Sequence, residues 1–323
     1  MFSNKNEDGS ASVPGFISVG LLTMVMTGPV VAQDDDVEAD GEQRQRPIEI
    51  TVAAGVQYDD AVSVEELDLT RNVGDFAAIF DLDLRYRKRF DQGSDFRIGY
   101  SLAQKSYFEE TDFDLQIHNL SFNFKHDFKH FDLGLQNYNV LARLDNEELL
   151  NFQHVSPYLT TFLTDKMYLR TSYFYRNKEF PDNPDRDGHV HAADTDLYYF
   201  IDGTRNYFVA GLRYENENTR AAEFEFNSRQ LALQYARRLD WHGDRPVRIR
   251  LDWRIEDRDY QNVTPSLGER RDDQRQRWRA RVDLPINTTW TALFSYQYRD
   301  HESNLATADF DDNRIELQFE AAF

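Results

Sequence analysis

The sequence predicts an all-β fold: a transmembrane antiparallel up-and-down β-barrel of about 14 strands. Three observations predict it. Segments of alternating apolar and polar residues recur along most of the chain. The connections between them are alternately short and long, as in barrels with tight turns at one rim and loops at the other. The terminal segment alternates without a fault: Ile315, Leu317, Phe319, Ala321 and Phe323 share one face, and Arg314, Glu316, Gln318 and Glu320 share the other.

Composition narrows the alternatives. A mean hydropathy of -0.71 excludes a helical membrane protein, yet suits a barrel, where only alternate residues meet lipid. A formal net charge of -20 argues against a nucleic-acid partner, since phosphate binding needs basic patches. The absence of cysteine fits an oxidising compartment entered without a disulfide framework. Residues 1–32 read as a signal peptide, because the apolar run Val13 to Ala32 ends in Val30-Val31-Ala32, a small-residue cleavage pattern. Residues 33–46 read as an acidic, disordered linker, and 47–323 as the barrel. The expected location is the bacterial outer membrane, reached through the inner membrane by the signal peptide.

The strands follow in order. Ile48, Ile50, Val52, Ala54, Val56 and Tyr58 share one face of the first. Phe76, Ala78, Phe80, Leu82, Leu84 and Tyr86 oppose Asp75, Asp81, Asp83, Arg85 and Arg87 in the second. After Asp91-Gln92-Gly93-Ser94, a turn, Phe96, Ile98, Tyr100 and Leu102 form the third. Residues 113–126 change phase, from Leu115/Ile117 to Leu120/Phe122/Phe124, which predicts a bulge. Weaker strands follow near 131–143, 152–163, 167–177 and 190–201. Asp202-Gly203-Thr204 turns the chain into Phe208, Ala210, Leu212 and Tyr214, and Leu231, Leu233 and Tyr235 close the next strand. The last quarter is clearest: Val247 to Ile255, Trp278 to Leu284 and Trp290 to Tyr298 alternate cleanly before the terminal strand. Connections at 59–73, 177–189, 259–271 and 299–312 read as long loops. Those at 91–95, 127–130, 164–166, 202–205 and 285–288 read as short turns, with 236–245 rather long for that side.

A barrel of this size is too wide for an apolar core of side chains. Its inward rows are expected to hold Arg248, Arg250, Arg254, Arg275, Arg277, Arg279 and Arg281 on one wall. Asp81, Asp83, Glu316 and Glu320, with Glu223 and Glu225, are expected to face inward elsewhere. Two readings stay open. The arginines, facing carboxylates, create a transverse field that favours small anionic or zwitterionic solutes, or the charges pair with one another across a plugged or narrow lumen.

Smaller signals carry less. Asn183-Pro184-Asp185-Arg186-Asp187-Gly188 resembles a calcium loop, but lacks the closing bidentate Glu on a helix and reads as a turn-rich loop. His189 and His191 share a face without a third ligand and read as solvated loop histidines. His118, His154 and Ser156 have no catalytic spacing. No enzyme, metal site or cofactor is expected.

Tyr58-Asp59-Asp60-Ala61-Val62 resembles the opening of barrels related to the C-terminal domain of the surface lipoprotein assembly modifiers, with Ala61 in place of Asn. Tyr198 to Arg205, followed by Gly211-Leu212-Arg213-Tyr214-Glu215, resembles the same group. The resemblance covers residues 47–323 and implies an outer-membrane barrel, here expected as the barrel alone without the periplasmic helical-repeat domain of full-length members. The terminal strand, through Phe319 and Phe323, resembles the signal read by the barrel assembly machinery. The partners expected are therefore outer-membrane lipid, that machinery and a separate periplasmic partner. The leading expectation is a channel for small polar or anionic solutes through an arginine-lined lumen. The alternative is a translocation or assembly barrel for surface lipoproteins or other clients.

Overall fold

The computed structural model describes residues 47–323 apart from 92, 243 and 244, so the expected signal peptide and linker lie outside the described residues. Residues Pro47–Phe323 form one compact unit. Its strands are β1 (Ile48–Asp59), β2 (Val62–Val64), β3 (Leu69–Arg71), β4 (Asp75–Phe90), β5 (Ser94–Tyr107), β6 (Leu115–Asp127), β7 (Asp132–Leu144) and β8 (Glu147–Thr164). They continue as β9 (Met167–Glu179), β10 (Gly188–Asp202), β11 (Asn206–Thr219), β12 (Phe226–His242), β13 (Arg245–Thr264), β14 (Glu269–Pro285), β15 (Trp290–Ser303) and β16 (Phe310–Ala322).

Fourteen of these close an antiparallel barrel in which β1 lies between β16 and β4; β2 and β3 form a separate hairpin. Every barrel strand pairs with its sequence neighbours, and closure is made by β1 on β16. That seam is the shorter ladder of β1: nine paired positions from Thr51↔Ala322 to Asp59↔Arg314, against twelve with β4. The two strands approach so closely that a Cβ on Gly55 would sit 2.0 Å from the Leu317 carbonyl oxygen. Both ends of the barrel chain lie at the rim of short turns, which is the periplasmic rim in outer-membrane barrels. Gly93, at a φ of 77°, makes one of those turns.

The alternation decides which row meets lipid. Ile48, Ile50, Val56, Phe76, Phe80, Leu251, Phe294, Ile315, Leu317 and Phe319 are exposed on the outer surface. Aromatic side chains ring that surface towards both rims, with Tyr173, Tyr214 and Trp278 above and Tyr86, Tyr199 and Trp290 below. No helix among the described residues is long and apolar enough to cross a membrane; the crossing is made by strands.

Three expectations change. β6 carries no bulge, because its register with both neighbours is continuous. Its phase changes because Leu115 and Ile117 face inward and are buried, whereas Leu120 and Phe124 face lipid. The connection expected at 259–271 shrinks to 265–268, because β13 and β14 run on past the membrane band. Glu223 and Glu225 lie at the 3-10 turn Ala222–Phe224 between β11 and β12, not on an inward strand row.

Candidate functional site: the lumen and its closing loop

The connection between β1 and β4 turns inward and packs against the inner wall at the outer mouth of the barrel. β2 and β3 pair as Val62↔Arg71, Ser63↔Thr70 and Val64↔Leu69, joined by the 3-10 turn Glu65–Leu67 and by Asp68 in the left-handed region at φ 53°. Val62 and Val64 are buried against Ala77, Tyr107 and Phe113, with Leu67, Leu144 and Leu149 packed beside them. This apolar anchor removes the hairpin from water and leaves two carboxylates in the middle of the mouth.

Those carboxylates bind walls that are far apart around the ring. Asp68 accepts from Arg186 at 2.7 Å and from both terminal nitrogens of Arg271 at 2.9 and 2.8 Å. Arg186 lies on the β9–β10 connection, six strands round the ring from the loop's root, and also donates to the Glu66 carbonyl at 2.9 Å. Arg271 lies on β14. Glu65 accepts from Arg299 on β15 at 2.7 Å, with Arg275 at 3.7 Å and His301 at 3.9 Å. Arg299 also donates to the Ser63 hydroxyl at 3.0 Å. A segment tied to both sides of a barrel mouth cannot leave without breaking charge-assisted bonds on both.

The loop carboxylates titrate accordingly. Burial alone would raise Glu65, but His301, Arg299 and Arg275 outweigh it and hold the carboxyl well below the usual range. Arg271 and Arg186 do the same for Asp68 against its burial. Glu66 behaves oppositely: burial, then the neighbouring Glu65 carboxylate, push it up to about 7, against weaker pulls from Lys178 and Arg275.

At the β1 end of the mouth, Asp59 is fully buried and pairs with Arg314, while Tyr107 donates to it and Lys105 lies 3.7 Å away. Asp60 accepts from the Asn313 backbone at 2.6 Å and side chain at 2.7 Å, so the seam is pinned where the loop departs. Asp312 takes Arg299 at 2.7 Å.

Of the residues expected to face inward, those on β4, β13, β14 and β16 occupy inward positions of their strands, whereas Glu223 and Glu225 do not. Arg275 is claimed by Asp273 at 3.3 Å and by Glu65. Arg279 donates twice to Gln297, at 3.1 and 2.6 Å. Arg250 lies 3.9 Å from Asp283. Arg248, Arg254 and Arg281 also engage neighbours within the wall. Arg277 alone of this set has no hydrogen bond or ion pair among the described residues. Across the lumen, Asp81 accepts from Gln318 at 2.7 Å and Asp83 pairs with Arg85 at 2.7 Å. Glu316 and Glu320 are buried on the inner face of β16. Phe319 and Phe323 face outward, and the Phe323 amide pairs with the Ile50 carbonyl at 2.9 Å.

Sequence reading missed a second inner surface. On β7 to β10, the outer half of the inward row carries a cluster of buried apolar residues, Val140, Ala142, Leu150, Phe152, Phe174, Val190 and Ala192, beside the buried cations Arg176 and Lys178. Arg176, 1% exposed, stacks over Phe152 and Phe174, and Arg213 binds Asp194 at 2.5 Å. The signal was present in the weak alternation of these strands, where both faces carry mixed residues. On the lipid face of β7, Asn139 donates to Asn137 at 2.8 Å and Gln153 donates to Asn139 at 3.1 Å, which satisfies amides that lipid cannot. His189 and His191 are not loop residues: they point outward from β10 beside Tyr173 and Tyr175. The Asn183 segment forms a 3-10 turn that presents Arg186 to the closing loop. Among the described residues, no group of three or more ligating side chains could hold a metal ion.

Solved structures share the barrel fold. An anion-selective porin from Comamonas acidovorans superposes with a TM-score of 0.52 at 6% identity, covering 85% of this chain and 98% of that one. A bacterial polysaccharide outer membrane secretin gives 0.51 at 10% identity, covering 85% and 97%. At these identities the likeness is one of fold. A search of curated proteins returns no match. The surface lipoprotein assembly modifier model matches residues 52–323, the whole barrel from within β1 to the last residue. Neither this family nor these barrels are enzymes. A closed fourteen-strand barrel with this match is a bacterial outer-membrane protein, and the chain belongs to the surface lipoprotein assembly modifier family.

Proposed function

We propose that the protein is a translocation barrel for surface lipoproteins, closed at rest by the loop between β1 and β4 and opened when a client engages it. The observation that carries this reading is Asp68, held between Arg186 and Arg271 in the middle of the outer mouth. A loop held by ion pairs to separate parts of the wall restricts free diffusion through the mouth. A barrel that must stay sealed between rare, large clients gains from that restriction. The family's role supplies the client class. A periplasmic partner would deliver the client, and the terminal strand with Phe319 and Phe323 would engage the assembly machinery.

The test is a comparison of surface-exposed lipoproteins, by labelling intact cells and mass spectrometry, with and without the gene. One or a few lipoproteins should lose exposure while staying present in the membrane. An unchanged lipoprotein surface together with reduced uptake of small anions would overturn the proposal. That outcome would favour the second reading, a small-anion channel, whose supporting observation is the arginine row below the loop.

A further inference from the structure

We infer that the docked loop latches the seam between β1 and β16, and that a client releasing the loop opens a lateral exit there for its lipid anchor. This exit rests on the translocation reading and names where a client leaves the lumen. A lipoprotein carries apolar acyl chains that belong in the bilayer, whereas much of the lumen wall is lined by charged and polar side chains. Passing from lumen to bilayer means passing between two strands. The seam is the one ladder of the ring whose strands are not joined by a chain connection, since every other neighbouring pair is consecutive in the barrel. It therefore parts without stretching a turn. Among the described residues it is also the shortest ladder, with nine register positions against eleven or more in every other pair of the ring. Its lipid-facing rows, Val52, Ala54 and Val56 on β1 and Ile315, Leu317 and Phe319 on β16, are apolar, so an acyl chain leaving between them meets a compatible surface.

The latch is a set of bonds that tie the outer end of β16 to the loop and its root. Asp59, the last residue of β1, pairs with Arg314. Asp60 accepts from the backbone and side-chain amides of Asn313 at 2.6 and 2.7 Å, and the Ala61 amide donates to Asp312 at 3.4 Å. Arg299 completes the set from β15: it donates to Asp312 at 2.7 Å, to Glu65 at 2.7 Å and to the Ser63 hydroxyl at 3.0 Å. One guanidinium thus grips β16 and the loop hairpin together, and the hairpin is rooted in β1. Acids and cations alternate through this cluster, with Lys105 beside Asp59, Arg314 also near Asp312, and Arg275 and His301 beside Glu65. Each charge-assisted bond needs the loop in place to be complete. When the loop leaves, the contacts of Ser63 and Glu65 leave with it. The outer end of the seam then keeps its backbone ladder, the Asp59–Arg314 pair and the bonds between Asp60 and Asn313.

The chain has no cysteine, so a pair placed across the seam reports without background. Val56 and Leu317 are register partners on the lipid face, within reach of a disulfide across an antiparallel ladder. In cells carrying the Val56→Cys, Leu317→Cys barrel, oxidation should abolish surface exposure of the lipoproteins that depend on the gene. A membrane-permeant reductant should restore it, which also shows that the barrel is folded, and each single-cysteine barrel should deliver as wild type does. Spin labels on the same two cysteines of the purified barrel test the latch without any client. Their dipolar broadening should be strong while the loop is docked and should be lost from part of the population in the Glu65→Gln, Asp68→Asn background. A barrel locked by the disulfide, as shown by its unreduced gel mobility, that still delivers lipoproteins overturns the lateral exit. Broadening unchanged by release of the loop overturns the latch. If deleting the gene displaces no lipoprotein, the translocation reading falls and the exit with it, while the spin labels still decide whether loop and seam are coupled.

Discussion

The same residue type meets opposite fates at two levels of one wall. At the outer mouth, Arg271, Arg275 and Arg299 each meet a carboxylate carried in by the loop or set on a neighbouring strand. One step below, Arg277 faces arginines on both adjoining strands and makes no ion pair or hydrogen bond among the described residues, with Asp252 and Glu65 acting on it only from a distance. All four sit on inward positions of the same two strands, at the same spacing, in the same kind of sequence. What separates them is a connection that folds back from more than two hundred residues earlier. An inward charge in a barrel is therefore not a description of function until its partner across the lumen is known.

The comparison breaks most completely at the mouth. Replacing Glu65 and Asp68 together by Gln and Asn leaves Arg186, Arg271 and Arg299 without those loop carboxylates. Each broken buried pair costs about 3–5 kcal/mol where the remaining charge stays dry. The loop should leave the mouth, and limited proteolysis should cut between Val62 and Arg71 in the double variant while sparing wild type. The anchor gives a second, smaller break. Val62 is fully buried, so Val62→Asp puts an unpaired carboxylate into an apolar contact and should release the loop. Val62→Ala should cost only about 1 kcal/mol and keep it in place, as read by the same protease.

A third prediction concerns pH. The Glu66 carboxyl is raised to about 7, so its neutral form is favoured in the closed loop. That contribution is present in full below the ordinary carboxylate value and is lost as pH rises through about 7. The groups facing it are Glu65 on its own turn, Lys178 from β9 and Arg275 from β14. Protease sensitivity of the loop should therefore rise between about pH 4.5 and about pH 7 and level off above it, and Glu66→Gln should flatten that rise. Glu65 and Asp68, held far below the usual range, should contribute no change over that interval. The smallest effect sharpens the comparison rather than breaking it. Arg277→Gln removes the like-charge contact with its register partners Arg254 and Arg299 and should raise the melting temperature slightly without releasing the loop, since it leaves Glu65 and Asp68 untouched.

Strand number and the inward arginine rows were legible because each depends on a period of two within one segment. Ile315 to Phe323 and Val247 to Ile255 show it with no exceptions. The middle was less legible for a physical reason. Leu115, Ile117, Val140 and Phe152 point inward under the loop, so these strands put apolar residues on both faces and lose their alternation. A phase change that reads as a bulge in β6 is in fact a change in what fills the lumen. The closing loop itself was hidden more deeply. Val62-Ser63-Val64-Glu65-Glu66-Leu67-Asp68 looks like a polar connection with a few apolar residues, and nothing local marks it as folding inward. Its two valines, alternating beside two acids, become meaningful only with Tyr107, Phe113 and Arg271 around them.

Single-channel recording of the purified barrel in a planar bilayer tests the central claim most directly. Wild type should be silent or open only briefly, and the Glu65→Gln, Asp68→Asn double variant should conduct in a sustained way through a barrel that stays folded. Steady conductance by wild type, equal to that of the double variant, would contradict the account, because the loop would then be no closure at all.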